Sequence, residues 1–196
     1  MFVTFEGVDG SGKSTQAELL RGALAGRGRD VVATREPGGT LLGERIRELL
    51  LDGEAMAPWA EAALFAAARA ELAARVIRPA VERGADVVCD RYVDSSLVYQ
   101  GIGRGLGVAQ VLELNLIAVG NLLPDRTFVL VVDPAVAHAR LAGGHDRIER
   151  EDKRFRTAVA EGYRQLADLF PERVRALDGT LPASELARLV LAELDV

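Results

Sequence analysis

Short apolar runs alternate along this chain with longer stretches of helical composition. The runs cover residues 1–5, 30–34, 86–90, 126–132 and, more weakly, 173–177. Continuous apolar runs of this length are typical of parallel strands that are covered on both faces. Right-handed crossovers between such strands produce a doubly wound, three-layer α/β domain. The sequence therefore predicts a five-stranded parallel sheet flanked by helices, in a single domain that spans residues 1–196.

The segments between these runs are predicted to be helical. The predicted helices cover 14–27, 41–51, 60–83, 108–123, 134–140 and 184–194. Gly28, Gly84 and Pro124 directly follow three of them, at positions typical of helix C-termini. The segments 36–40 and 101–107 are predicted to be loops, the second a hinge. The chain shows no internal repeat and no low-complexity linker, which favours one domain.

A glycine-rich segment directly after the first run carries the clearest chemical signal. Residues 7–14, Gly-Val-Asp-Gly-Ser-Gly-Lys-Ser, match the pattern Gly-x-x-x-x-Gly-Lys-Ser/Thr between a strand and a helix. Its glycines let backbone N–H groups surround a phosphate, and the helix N-terminus adds a positive dipole. The pattern predicts a nucleoside triphosphate site. Its candidate residues are Gly7, Val8, Asp9, Gly10, Ser11, Gly12, Lys13, Ser14 and Thr15.

The third run ends in Asp90-Arg91-Tyr92, which points to the same chemistry. Asp90 is the expected acidic partner of the Ser14 hydroxyl in holding Mg²⁺. Arg91 is expected at the open edge of the sheet, where ligands of α/β domains bind. A GTPase would carry an Asn-Lys-x-Asp motif, and neither Lys13 nor Lys153 stands in one.

The composition limits the possible partners. The formal net charge is -5, with 29 acidic and 24 basic residues, which argues against a broad nucleic-acid or membrane surface. Cys89 is the only cysteine, so neither an internal disulfide nor a cysteine metal site is expected. The first residues do not resemble a secretory signal, and no apolar run reaches membrane-spanning length. We therefore expect a cytoplasmic protein.

Four further segments resemble those of bacterial thymidylate kinases. They are Asp-Arg-Tyr-Val-Asp-Ser-Ser-Leu-Val-Tyr-Gln-Gly at 90–101, Thr-Arg-Glu-Pro-Gly-Gly-Thr at 34–40, Leu-Phe-Ala-Ala-Ala-Arg at 64–69 and Asp-Arg-Ile-Glu at 146–149. Together with the glycine-rich loop they occur in the order of that family. The resemblance implies a P-loop NTPase fold, a homodimer, and Mg²⁺-dependent transfer of the ATP γ-phosphoryl group to dTMP, giving dTDP and ADP for dTTP synthesis. The apolar character of helices 60–83 and 108–123 suits the dimer interface and equally suits burial within one subunit.

Roles for individual residues follow from this resemblance. It implies that Arg91 holds the acceptor phosphate, with Arg47 and the turn at Glu36 and Pro37 beside it, and that Asp9 faces the 3′-hydroxyl. It implies that Phe65 stacks on thymine, that Arg69 reaches O4, that Ser96 and Gln100 contact the base, and that Tyr99 packs near C2′ of the sugar. By spacing alone, however, Phe65 and Tyr99 also suit a core, and Arg69 suits a solvated helix face.

A lid is expected at about 141–152. Because the glycine-rich loop has no arginine after Asp9, the resemblance implies that a lid arginine completes the catalytic set of Asp9, Lys13 and Arg91. Arg147 is the first candidate and Arg150 the second, while Arg140 is expected to stack on adenine. Two alternatives remain open at this point. One is a kinase for another deoxynucleoside monophosphate, and the other is a nucleotide switch or partner-binding ATPase.

Overall fold

Five parallel strands form the centre of the computed structural model, which describes residues 1–140, 146–148 and 150–196. The strands are β1 (Phe2–Glu6), β2 (Val31–Arg35), β3 (Asp86–Asp90), β4 (Arg126–Val131) and β5 (Val174–Asp178). Their order is β2-β3-β1-β4-β5, and every neighbouring pair is parallel. The predicted fold class is confirmed.

Helices cover both faces of the sheet. They are α1 (Lys13–Ala25), α2 (Leu41–Leu51), α3 (Pro58–Leu72), α4 (Arg78–Glu82), α5 (Val93–Ser96), α6 (Val108–Val119), α7 (Pro134–Ala139), α8 (Lys153–Leu169) and α9 (Ala183–Glu193). Two π-helical segments, Ala73–Ile77 and Leu97–Gly103, follow α3 and α5. None of the helices within the described ranges has both the length and the apolar character needed to cross a bilayer.

Alternation along the strands sends side chains to two separate cores. On one face Val3, Phe5 and Phe128 pack with residues of α1 and α9. On the other face Phe2 and Val87 belong to a larger cluster that includes residues of α3, α6 and α8. Successive strand residues point to opposite faces, so β1 contributes to both layers. This produces the three-layer arrangement.

Three predicted boundaries are wrong for local reasons. The helix predicted at 60–83 is interrupted by the π-helical segment Ala73–Ile77 just before Pro79, whose ring cannot continue the i→i−4 ladder. The helix predicted to run to residue 123 ends at Val119, where Gly120 adopts a left-handed conformation with φ 57°. The loop predicted at 101–107 begins only after Gly103, because the π-helical segment Leu97–Gly103 includes its first residues.

The sequence reading also missed most of α8. From the sequence, the charged run 145–156 is expected to be mostly a solvated helical face and no helix is expected between it and residue 184, whereas α8 continues to Leu169. The Asp152 side chain caps this helix by accepting a hydrogen bond from the Phe155 backbone N–H at 2.8 Å. Phe155 and Tyr163 lie on its buried face. The predicted lid at about 141–152 falls partly outside the described residues.

The register of the central strands determines where the functional segments meet. Phe5 of β1 lies opposite Asp90 of β3, and Glu6 lies opposite Val129 of β4. The glycine-rich loop after β1 and the Asp-Arg-Tyr segment at the end of β3 therefore leave the sheet side by side. The carboxyl edge of the central strands is the usual ligand position in open α/β sheets.

A buried ion pair fixes the segment that follows β3. Asp94 is fully buried, and both of its carboxylate oxygens accept hydrogen bonds from Arg173, at 2.6 and 2.7 Å. Thr127 donates a third hydrogen bond to Asp94 at 3.0 Å. These contacts connect α5 to the inner strand β4 and to the residue before β5.

Replacing Asp94 with asparagine is expected to lower the free energy of unfolding by about 3 kcal/mol, since it leaves the partly buried Arg173 charge without its counter-charge. Urea denaturation at pH 7 measures the loss. The matched control is Asp30→Asn, which breaks an ion pair with Arg83 whose side chains are 66% and 49% exposed. The control is expected to lose less than about 0.5 kcal/mol. Equal losses in both variants would contradict this account of Asp94.

Candidate active site

One cavity of about 690 Å³ opens at the carboxyl edge of the sheet. It is lined by the glycine-rich loop, by the segments after β2 and β3, and by residues from α2 and α3. Most of the sequence-predicted site residues lie on its wall. Four do not: Gly7, Val8, Arg69 and Arg147.

The glycine-rich loop has the tight backbone that its sequence predicts. Gly7 and Gly10 adopt positive φ angles of 138° and 80°. A side chain at Gly10 would place its Cβ 2.1 Å from the Ala137 carbonyl oxygen, so only glycine fits there. Helix α1 begins at Lys13, and the buried Ser11 hydroxyl has no hydrogen-bond partner among the described residues. The loop thus presents a helix N-terminus and an unpaired polar group to the cavity.

Lys13 is buried at the centre of this loop. Its ammonium donates to the Val8 carbonyl at 2.9 Å and lies 3.7 Å from an Asp9 carboxylate oxygen. Burial, and then the Arg91 charge, lower the pKa of Lys13 to about 8. Burial tends to raise the pKa of Asp9, but the charges of Arg91 and Lys13 outweigh it and hold that pKa below its usual value.

Arg91 stands between the two ends of the cavity in a constrained conformation. Its φ is 71°, a left-handed value that costs a non-glycine residue about 1–2 kcal/mol. Its guanidinium donates to Asp9 at 2.6 Å, to the Tyr163 hydroxyl at 2.9 Å and to the Ser95 hydroxyl at 3.1 Å. It also lies 5.4 Å from the centre of the Tyr99 ring. Contacts on several sides therefore hold this cation in place.

The buried carboxylate of Glu6 holds two of the side chains that contact Arg91. Glu6 is fully buried and accepts hydrogen bonds from the Ser95 hydroxyl at 2.6 Å, the Tyr92 backbone N–H at 2.7 Å and the Tyr163 hydroxyl at 3.2 Å. Burial, and then the nearby Asp94 charge, raise the pKa of Glu6 to about 7. Because Ser95 and Tyr163 also bond Arg91, Glu6 fixes two of the groups that orient the arginine.

Two side-chain oxygens of the kinds that bind divalent cations meet beside the loop. Ser14 Oγ lies 2.5 Å from Asp90 Oδ2, and both residues line the cavity. Hydroxyl and carboxylate oxygens are the ligands that Mg²⁺ prefers. The described residues contain no group of three or more histidine, cysteine, aspartate or glutamate side chains able to hold a metal. Ser14 and Asp90 supply two oxygens of these kinds.

The opposite end of the cavity holds the predicted acceptor residues. Arg47 donates to the Pro37 carbonyl at 2.8 Å, which joins α2 to the turn after β2. Phe65, Tyr99 and Gln100 line the same wall. This end combines an aromatic face with polar groups, whereas the loop end is lined by backbone and charge.

Arg69 lies behind this wall and not on a solvated helix face. It is 1% exposed, and it donates to Glu36 at 2.6 Å, to Ser96 at 2.9 Å and to Asn115. Burial raises the pKa of Glu36 to about 7 in spite of the Arg69 charge. Glu36 and Ser96 both line the cavity, so Arg69 orients two wall residues.

Arg140 lies at the far side of the loop end. It donates to the Gly179 carbonyl at 3.0 Å, and both residues line the cavity. Leu181 and Ala183 continue this wall. The structure therefore places Arg140 next to the loop after β5.

Comparison with known proteins gives this geometry a family. Residues 5–190 match the family model described as thymidylate kinase. The chain belongs to the thymidylate kinase family. It is 51% identical to a thymidylate kinase of Bifidobacterium longum over 92% of this chain and 90% of the relative. It is 50% identical to one of Symbiobacterium thermophilum, over 96% and 89%.

A solved structure agrees with this assignment. The crystal structure of thymidylate kinase from Ehrlichia chaffeensis superposes with a TM-score of 0.82 at 33% identity, covering 100% of this chain and 98% of that one. Membership of this family makes the protein an ATP-dependent phosphotransferase.

Arg147, the first candidate for a lid arginine, is held at the end of α2. Arg147 donates from Nε to the Leu50 carbonyl at 2.8 Å, and its Nη2 lies 2.9 Å from Glu61. Its backbone N–H donates to the Leu51 carbonyl at 2.9 Å. These contacts hold Arg147 at the end of α2, outside the cavity wall. Its transition-state role in this thymidylate kinase family member stays a prediction.

Several residues of the site carried no sequence signal. Glu6 and Tyr163 stand in segments where an isolated polar residue looks ordinary, and Asn115 lies within an apolar helix. Each acts through a partner more than 40 residues away in the chain. The apolar spacing of Phe155, Val159 and Tyr163 after the Asp152 cap could have located Tyr163 on a buried helix face.

The pKa of Lys13 leads to a testable pH dependence of ATP binding. Triphosphate oxygens pair with the protonated ammonium of Lys13. Near and above a pKa of about 8, part of the unbound protein has a neutral Lys13, and this part must take up a proton when ATP binds. We expect the Kd for ATP with Mg²⁺ to rise about tenfold between pH 7 and pH 9. Isothermal titration in two buffers of different ionisation enthalpy at pH 8.5 measures the proton uptake.

Lys13→Arg is the matched variant, because a guanidinium stays protonated throughout this range. The Kd of this variant for ATP is expected to be the same at pH 7 and pH 9, even where it differs from that of the unmodified protein. An affinity of the unmodified protein that does not change from pH 7 to pH 9 would refute the lowered pKa of Lys13.

Proposed function

We propose that this protein transfers the γ-phosphoryl group of ATP to the 5′-phosphate of dTMP, producing ADP and dTDP on the route to dTTP. One observation carries the proposal. A single cavity joins a triphosphate-binding loop to an aromatic, polar wall, with Arg91 between them. Both substrates bring phosphates, and such a cavity lets those phosphates meet at one cation.

The chemistry requires alignment and charge neutralisation more than proton removal. A phosphate monoester has a second pKa of about 6, so at neutral pH the acceptor oxygen is already mostly ionised. The repulsion between two anions is the main obstacle. Lys13 faces the β- and γ-phosphates in this proposal, and Arg91 bridges the donor and acceptor phosphates. Asp9 keeps Arg91 aligned and faces the 3′-hydroxyl.

Mg²⁺ is part of the proposal. Ser14 and Asp90, whose oxygens lie 2.5 Å apart, would hold it directly or through water. When bound, the ion neutralises charge on the triphosphate. Gly10, Ser11 and Gly12 would surround the β-phosphate with backbone N–H groups, while Arg140 would stack on adenine.

The acceptor wall would recognise thymine by its shape and its carbonyl edge. Phe65 provides the stacking face, and Ser96 and Gln100 provide polar contacts. Arg69 would act on O4 through the Ser96 hydroxyl that it bonds at 2.9 Å. Tyr99 would occupy the space beside C2′ and disfavour a ribose. Glu36, Pro37 and Arg47 would close the phosphate side.

We also propose that the protein acts as a homodimer in the cytoplasm. Helix α2 packs on α3, and α3 packs on α6. Leu42 and Leu49 of α2 are 49% and 56% exposed, and Ile117 of α6 is 76% exposed. Apolar side chains exposed on adjoining helices favour burial against a second copy. Sedimentation equilibrium at micromolar concentration checks the mass.

The acceptor preference tests the proposed reaction. We expect ADP release, followed by a coupled assay, to be fastest with dTMP among dTMP, dUMP, dCMP, dGMP and AMP. Because cytosine reverses the hydrogen-bonding pattern that the wall would read, kcat/KM for dCMP is expected to be at least about a hundredfold lower.

Two controls accompany this panel. A reaction without acceptor measures ATP hydrolysis alone, and Lys13→Ala protein prepared in the same way reports any contaminating kinase. A different best acceptor would indicate a kinase for another deoxynucleoside monophosphate. ADP release that no monophosphate stimulates would favour a nucleotide switch or a partner-binding ATPase.

A further inference from the structure

Glu61 is a buried carboxylate near the start of α3, outside the cavity wall. It is 1% exposed, and its two oxygens face donors from three separate places in the chain. Gln100 Nε2 donates to it at 2.9 Å, Arg104 donates from Nε and Nη2 at 3.1 and 2.9 Å, and Arg147 Nη2 lies 2.9 Å away. An acidic residue in the first turn also suits the helix dipole.

The two arginines keep this carboxylate ionised. Burial tends to raise the pKa of Glu61, but hydrogen bonds from Arg104 and Gln100 and the Arg104 charge outweigh burial and lower that pKa. Arg104 is fixed in turn by Glu151 at 2.7 Å and by the Phe155 ring, whose centre lies 4.5 Å away. An ionised carboxylate accepts hydrogen bonds and donates none.

This fixes the orientation of the Gln100 amide. Since Glu61 only accepts, it must face the amide NH₂ group of Gln100. The other end of that amide, Oε1, is an acceptor, and Gln100 lines the acceptor end of the cavity. The imide N–H of thymine is a donor between two carbonyls, whereas the ring nitrogen of cytosine at that position is an acceptor. A Gln100 amide turned the other way would favour cytosine.

We propose that Glu61 is a positioning residue for acceptor selection, which aims Gln100 Oε1 at the imide N–H of the base. The inference rests on the proposed function. Glu61 touches neither the substrate nor the reacting phosphates, and it acts through the amide that it holds. Its second contact, to Arg147, docks residues 146–148 against the same carboxylate, so base selection and the position of this segment share one anchor.

Glu61→Gln tests the role with nearly unchanged shape. A neutral amide can present either an oxygen or an NH₂ group, so Gln100 loses its fixed orientation. We expect the KM for dTMP to rise about tenfold and the dTMP-to-dCMP ratio of kcat/KM to fall about tenfold. The KM for ATP is expected to stay within about twofold, because the loop end is unchanged. A purely structural defect would not separate the two substrates in this way.

Three further variants test whether Glu61 acts on the dTMP-to-dCMP ratio through Gln100. Glu71→Gln on the same helix, whose ion pair with Arg75 lies away from the cavity, is the matched control and should behave as wild type. Arg147→Met should keep the dTMP-to-dCMP ratio within about twofold, since Arg104 still holds Glu61. Adding Glu61→Gln to Gln100→Ala should lower that ratio by less than about twofold beyond Gln100→Ala alone.

The outcomes separate the inference from the proposed function. A wild-type protein that does not phosphorylate dTMP refutes the function. Use of dTMP with wild-type selectivity in Glu61→Gln refutes the role of Glu61, as does an equal loss of selectivity in Arg147→Met. If Glu61→Gln melts below the assay temperature, Glu61→Asp replaces it. Glu61→Asp keeps the negative charge but moves it away from Gln100 by the length of one methylene group. Wild-type selectivity in this variant would overturn the proposal.

Discussion

The parallel pairing of β1 with β3 is the constraint on which the rest of this molecule depends. It sets Phe5 opposite Asp90, so that a phosphate-binding loop and an Asp-Arg-Tyr segment emerge next to each other. Because of that adjacency, Ser14 can meet Asp90, and Asp9 can hold Arg91. A shift of one residue would turn every side chain of β1 to the opposite face and separate these partners. The register of the sheet thus determines which side chains of the active site can meet.

The second requirement is to hold several cations together in a protein whose formal net charge is -5. Four cations in and around the cavity each face an internal anion. Lys13 and Arg91 share Asp9, Arg69 faces Glu36, and Arg104 faces Glu61. Unpaired charges would be costly to bury, whereas paired charges keep a fixed geometry without a ligand. These cations are in this way held in place without a ligand, although the protein as a whole carries a net negative charge.

The sheet and the phosphate-binding loop could be predicted from the residues themselves because both have local signals, whereas the acceptor side of the cavity wall was predicted only through the resemblance to bacterial thymidylate kinases. Apolar runs predict strands, and the spacing of Gly7, Gly12 and Lys13 predicts the loop. The π-helical interruption before Pro79 depends on local helix geometry that apolar spacing does not represent. The extent of α8 was missed although the Asp152 cap and the apolar spacing after it were signals for this helix. Glu61 was missed for another reason. A single glutamate near the start of a helix is unremarkable until the fold brings Arg104 and Arg147 to it.

The central claim is that donor and acceptor phosphates meet at Arg91 within one cavity. The most direct measurement is the Kd of a dinucleotide in which adenosine and thymidine are joined through five phosphates, determined by calorimetry with Mg²⁺. The account predicts binding at least about a hundredfold tighter than that of ATP or dTMP alone, because one ligand fills both ends. Arg91→Ala should remove most of that gain, and Arg21→Ala, on the exposed face of α1, should keep it. A dinucleotide that binds no more tightly than ATP alone would contradict the account.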